Sequence, residues 1–213
     1  MQTLCRFFCS SIGRKVTVAL AGLLLCGFLV THLAGNLFLF VGAGAFNHYA
    51  ETLEANPLLP AAEIALFALF AIHILVSLKL RRENALARPA GYAEYKSKGG
   101  RSWGSSTMTY TALLTLAFII VHIKTFKFGN AEHGLYDLVV NWFKNPLYAG
   151  FYVVAMLGLG LHVSHGIQSG FQTLGLNHPR WTPLIRKFGF AFAVIVCGGF
   201  ALIPIWAFFG GPK

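Results

Sequence analysis

Five long apolar runs constrain this chain more than any other feature. Val16–Val41, Leu58–Leu80, Met108–Phe126, Leu147–Gln168 and Phe188–Phe209 are each long enough to cross a membrane as a helix. About 18 mostly apolar residues suffice to span a hydrocarbon core ~30 Å thick. The chain is 56% hydrophobic and 11% charged, whereas soluble domains carry about 25% charged residues. The segments between runs are short, and neither internal repeats nor low-complexity stretches occur. The fold class this predicts is all-α: residues 1–213 form a single integral membrane bundle of five transmembrane helices.

The first run follows Arg6, Arg14 and Lys15 and so resembles a signal peptide. Its apolar stretch is about twice the usual 7–15 residues of such a segment, and no small-x-small cleavage site ends it. The expectation is a retained helix.

The net charge of +10 would suit nucleic acid, but its distribution argues for topology instead. With a cytoplasmic N-terminus, five spans leave three segments inside: the N-terminal arm, residues 79–105 and residues 173–187. Arg6, Arg14, Lys15, Lys79, Arg81, Arg82, Arg88, Lys96, Lys98, Arg101, Arg180, Arg186 and Lys187 fall there. Only Lys124, Lys127, Lys144 and Lys213 fall outside. Positive charge concentrates in cytoplasmic loops, which predicts an N-terminus inside and a C-terminus outside. The same loops suit anionic lipid headgroups or a soluble partner. Nucleic acid is not an expected partner.

Between the runs, "GAGAFNHYAETLEANPLLP" contains turn residues and a stretch, "FNHYAETL", suited to a short surface helix. The outer connection "KFGNAEHGLYDLVVNWFKNP" and the start of the next run carry Tyr136, Trp142 and Tyr148, residue types favoured at the membrane interface. Glu63 is placed to cap the second span, where negative charge is favoured. Pro204 is placed to bend the last span or close its final turn. Cys5, Cys9, Cys26 and Cys197 form no metal-ligand pattern and read as small packing residues.

The most informative residues are histidines. His32, His73, His122 and His162 lie one per span on the first four spans, and the fifth has none. Ionisable groups inside a membrane are expensive and are by default functional. At ~1.5 Å rise per residue, His32 and His122 lie roughly 24 and 21 Å from the inner side, and His73 and His162 roughly 10 and 9 Å. Two histidines from different helices therefore share an outer level and two an inner level. A pair of neutral imidazoles facing one another is what a six-coordinate haem iron needs, and helix bundles build cofactor sites from facing side chains. Interhelical hydrogen bonding by each histidine separately is the competing reading. Zinc is disfavoured, because two levels roughly 10 Å apart do not form one tetrahedral cluster. CxxCH is absent, so the haem would be noncovalent, of b type.

Glycines accompany the histidines. Gly158, His162, Gly166 and Gly170 recur every four residues and share one helix face. Gly35 lies one turn from His32, with Gly22 and Gly27 further down the span. Glycines there would let a flat macrocycle approach the helix; close helix packing uses the same spacing and carries equal weight. His165 is three residues from His162 and nearer the inner interface, where it could bond a haem propionate or water. His48, His133 and His178 lie in loops. His48, Glu51 and Glu54, in the outer connection, are candidates for exchanging protons with a quinone, although a solvated acidic loop explains them equally well.

"SIGRK", "GLLLCGFLVTHLAGNLF", "FNHYAETL" followed by "NPLLP", a histidine in the second run, "RPAGYAEYK" and "LHVSHGIQS" occur in that order over essentially the whole chain. In this the chain resembles the dihaem cytochrome b membrane-anchor subunit of succinate:quinone oxidoreductases and quinol:fumarate reductases. The resemblance implies five transmembrane helices in the inner (cytoplasmic) membrane of a bacterium, with two haem b groups in the bundle. It implies His73 and His162 as axial ligands of the inner haem and His32 and His122 of the outer one. His162 followed by Gly166 matches the family's ligand-plus-glycine pattern. The implied partners are a flavoprotein subunit with FAD, where the dicarboxylate chemistry occurs, and an iron–sulfur subunit, both cytoplasmic. The implied role is electron transfer between that iron–sulfur subunit and a membrane quinone, menaquinone by expectation. Some dihaem relatives carry a glutamate two residues before a haem ligand; here that position is Gly160. Two other readings stand beside this one: a cytochrome b of another oxidoreductase, of hydrogenase or formate dehydrogenase type, and a haem-free transporter or structural anchor.

Overall fold

A computed structural model describes residues 6, 10–87 and 103–211. "RPAGYAEYK", together with Arg101, Lys213, Cys5 and Cys9, lies outside the described residues. Within them every regular element is helical.

Helix α1 covers Ser11–Asn36. It starts at Ser10, whose Oγ accepts from the Gly13 amide at 3.0 Å, satisfying one of the free amides of the first turn. A 3-10 turn, Leu37–Phe40, extends it. Gly42, with φ +127°, then turns the chain in a conformation open to glycine. The short helix α2, Ala43–Glu54, follows. Helix α3, Leu59–Leu86, has Pro60 in its first turn, where a missing amide hydrogen costs nothing. Helix α4, Trp103–His122, passes directly into a π-helical turn, Ile123–Lys127. Helix α5 is Leu135–Phe143. Helix α6, Pro146–Thr173, is capped by the Asn145 side chain, which accepts from the amides of Leu147 and Tyr148. Helix α7 is Thr182–Phe209.

Five of these helices, α1, α3, α4, α6 and α7, are long and apolar enough to cross a membrane. The protein is a multi-pass membrane protein of all-α class. The helices overrun the apolar stretches of the sequence, chiefly at the end bearing Arg14, Arg81, Arg82 and Lys187. The reason is physical: a helix satisfies its backbone internally and does not stop where hydrocarbon stops. Large side chains such as Ile64, Phe67, Leu75 and Leu157 are exposed on the bundle surface, as a lipid solvent permits.

Helix α6 is the centre of the bundle. It packs most extensively on α7 and also on α4 and α1, and it supplies Ala155, Met156, Leu159, Val163 and Ile167 to one core cluster. A second cluster gathers α5, the start of α6, and Leu39, Phe46 and Ile203. Helix α3 is different. None of its residues is buried, and it packs closely only on α1. Polar bridges tie it down. Arg14 and Glu83 pair at 2.8 Å, Arg81 donates to Thr109 of α4, and Lys127 pairs with Glu63.

Some sequence expectations change here. Glu63 does not cap α3, since no side chain caps that end; it reaches across to Lys127. Tyr136 is turned inward and buried against Phe46, because α5 folds as an amphipathic helix over the end of the bundle. Pro204 lies buried inside α7, which continues to Phe209.

Candidate haem-ligand pairs

The four intramembrane histidines meet in two pairs. The rings of His32 on α1 and His122 on α4 have centroids 5.8 Å apart and stand nearly perpendicular, at 88°. Those of His73 on α3 and His162 on α6 are 6.4 Å apart at 74°. Neither α1 with α4 nor α3 with α6 packs closely, so in each case the imidazoles bridge helices that otherwise stand apart.

The first pair is embedded in aromatic rings. Phe28 stacks on His32 at 5.2 Å and Phe200 lies at 5.5 Å; Phe118 stacks on His122 at 5.4 Å. Nδ1 of His122 is 3.3 Å from the Tyr152 hydroxyl, which is 3.0 Å from the Tyr148 hydroxyl. Nδ1 of His32 has only the Asn36 amide at 3.5 Å, and that amide already donates to the His32 carbonyl at 2.8 Å. In the second pair, Nδ1 of His162 is buried without a hydrogen-bond partner, and the His73 ring lies against the Val18 backbone. Gly22 makes room for the His73 ring, since a Cβ there would come within 3.1 Å of its Cε1.

The donor set fits an iron porphyrin. An imidazole nitrogen sits about 2 Å from a first-row metal, so two rings on opposite sides of one metal have centroids about 6 Å apart. The observed separations, 5.8 and 6.4 Å, lie near that value, and the aromatic and aliphatic surroundings suit a large apolar macrocycle. No group of three or more His, Cys, Asp or Glu side chains able to hold a metal ion occurs among the described residues.

The glycines divide. Gly166 and Gly27 have no neighbour within 4 Å of a Cβ position, leaving open space beside their helices. Gly35 is filled by the Tyr49 ring, and Gly158 by Leu114, each closer than 3.0 Å to where a Cβ would stand. At those two positions glycine permits close packing. His165 turns its Nδ1 into a buried position without a partner, and Gly104 of α4 packs against its Cβ. His48, Glu51 and Glu54 are exposed on α2, at the end of the bundle opposite the basic residues. Cys26 and Cys197 are free thiols within the bundle.

The residue that sequence reasoning missed is Tyr152. Tyrosine is common in apolar runs, and its only signal was a hydroxyl placed where α6 is otherwise oily.

A search of curated proteins finds a relative: the succinate dehydrogenase cytochrome b558 subunit of Bacillus subtilis (strain 168), 28% identical over 160 residues, covering 70% of this chain and 73% of the relative. The chain is similar to a succinate dehydrogenase cytochrome b. No family model matches the chain, and no solved structure matches it.

Proposed function

We propose that this chain is the membrane-anchor subunit of a succinate dehydrogenase or fumarate reductase complex in a bacterial cytoplasmic membrane, carrying electrons between an iron–sulfur subunit and a quinone by way of two b-type haems. The observation that carries the reading is the meeting of four intramembrane histidines in two pairs, each across helices that do not otherwise pack. The cytochrome b558 relative supports it independently.

In this reading His73 and His162 hold one iron, and His32 and His122 the other. Bound haem supplies reversible one-electron exchange, with a potential set by axial ligands, hydrogen bonds and burial. The chain's own part is positional. Phe28, Phe118 and Phe200 hold the rings of one pair and keep water away from it. Gly166 and Gly27 keep helix surfaces thin; Gly35 and Gly158 would do so only where Tyr49 and Leu114 swing aside. His165, with its unpartnered Nδ1, is available to a propionate.

The basic end, with Arg81, Arg82, Arg186 and Lys187, is the face for the cytoplasmic partners, an iron–sulfur subunit and through it an FAD flavoprotein. That follows from the concentration of positive charge in cytoplasmic loops and puts the His32–His122 pair toward the outside. His48, Glu51 and Glu54 on α2 are exposed there and able to exchange protons with a quinone, menaquinone by expectation.

Purification in mild detergent tests the reading. Two haem b per chain, a reduced-minus-oxidised b-type spectrum and co-purifying flavoprotein and iron–sulfur subunits are expected. A haem-free protein would overturn it in favour of a transporter or plain anchor. Hydrogenase or formate dehydrogenase subunits in the preparation would assign it to a different oxidoreductase.

A further inference from the structure

We propose that Tyr152 is the positioning residue of His122: its hydroxyl takes the Nδ1–H of the ring, leaving Nε2 as the free nitrogen, and Tyr148 holds that hydroxyl from its other side. The inference rests on the reading of His122 as a haem ligand.

A neutral imidazole carries one N–H, and whichever nitrogen donates leaves the other as acceptor or ligand. The Tyr152 hydroxyl, 3.3 Å from Nδ1 of His122 and 3.0 Å from the Tyr148 hydroxyl, can do two things at once. It accepts from Nδ1–H and donates to Tyr148. Both of its hydrogen-bonding functions are then met, as a hydroxyl in an apolar interior requires. The geometry is held from all sides. Tyr152 is 5% exposed, and its ring meets Phe118 and Phe143 at 4.9 Å each and Tyr148 at 4.8 Å. Tyr148 is in turn set by Trp142 at 4.8 Å. The hydroxyl pair therefore runs from the ligand ring toward the end of the bundle where α5 packs.

The other three histidines have no such arrangement. Nδ1 of His162 is buried without a partner, and the His73 ring meets the Val18 backbone rather than a hydroxyl. Nδ1 of His32 faces the Asn36 NH2 at 3.5 Å, which can donate to that nitrogen but cannot accept its N–H. The two irons would thus differ in one specific respect. A partner on the far nitrogen orients a ligating histidine and raises its basicity. A more basic ligand favours the oxidised metal, so the hydroxyl lowers the potential of the haem held by His122.

The test is a redox titration of the purified complex in detergent, followed in the b-type absorbance. The wild type comes first: two titrating components support the functional reading, and their absence would end that reading before any variant is made. His122→Ala then identifies the component that depends on His122. In Tyr152→Phe, the midpoint of that component is expected to move positive with the haem count and the other component unchanged. Tyr148→Phe, which keeps the Tyr152 hydroxyl, should move the same component in the same direction by less. An unmoved midpoint in Tyr152→Phe with both haems retained overturns the proposal. Should Tyr152→Phe lose that haem, Tyr148→Phe decides: a positive shift supports the proposal and no shift overturns it.

Discussion

His73 and His162 stand with ring centroids 6.4 Å apart although their helices, α3 and α6, do not pack closely on each other. Helix α3 buries none of its residues. It packs on α1, and the His73 ring reaches past α1 to His162 on the central helix. A group bound between the two rings would be part of what keeps α3 in place. Haem-depleted protein should therefore show faster amide exchange in α3 than haem-replete protein, with a smaller change in α6, whose contacts to α7 are extensive. Equal protection of α3 in both preparations, measured by hydrogen exchange in detergent, would show that the rings hold nothing.

The pairing itself makes a spectral prediction. His32→Ala and His122→Ala should remove the same haem signal, and His73→Ala and His162→Ala the other, each variant retaining about half of the haem. Reduced-minus-oxidised spectra with a haem count read this directly. A His73→Ala protein that lost the component dependent on His32 would break the pairing.

Two glycines separate packing from backbone preference. A Cβ on Gly189 of α7 would stand 2.9 Å from the Ser164 carbonyl oxygen of α6, a backbone atom that cannot step aside. Gly189→Ala should lower stability by about 1–3 kcal/mol, as overpacking does. Gly150 has nothing within 4 Å, so Gly150→Ala should be neutral or raise stability by about 0.5–1 kcal/mol through helix preference. Thermal unfolding in a single detergent compares the two.

Lys127 and Glu63 tie the π-helical turn after His122 to the start of α3. Both side chains are about half exposed, at 52% and 43%. An ion pair so open to solvent contributes roughly 0–1 kcal/mol. Lys127→Glu and Glu63→Lys should each be mildly destabilising, and the double exchange should recover the loss. A double-mutant cycle on unfolding temperature measures it; a double exchange no better than the worse single would mean that the pair is incidental.

Much of the fold was legible because two scales meet in a membrane chain. Val16–Val41 and its four counterparts match hydrocarbon thickness, and α1, α3, α4, α6 and α7 occupy those positions. Their ends were less legible: α3 runs on to Leu86 and α7 begins at Thr182, since polar residues continue a helix as readily as they end it. The sequence alone reads helix α5 as part of a connection. Its nine residues, Leu135–Phe143, carry no long apolar run, and it forms because one face covers the bundle end. Local rules place Glu63 at the start of its own helix, whereas in the fold it pairs with Lys127, 64 positions away.

What the sequence by itself determined is one-dimensional: how many times the chain crosses, and at what height along each crossing a histidine lies. Helix rise and membrane thickness convert residue number into depth without reference to any neighbour. What only the tertiary structure decided is lateral. It turns the His32 and His122 rings toward one another, puts the Tyr152 hydroxyl at Nδ1 of His122, and fills the space beside Gly158 with Leu114 while leaving Gly166 open. Lipid tails are as apolar as leucine, so polarity does not mark which face of a membrane helix turns inward. Shape does, and shape is a property of several helices at once.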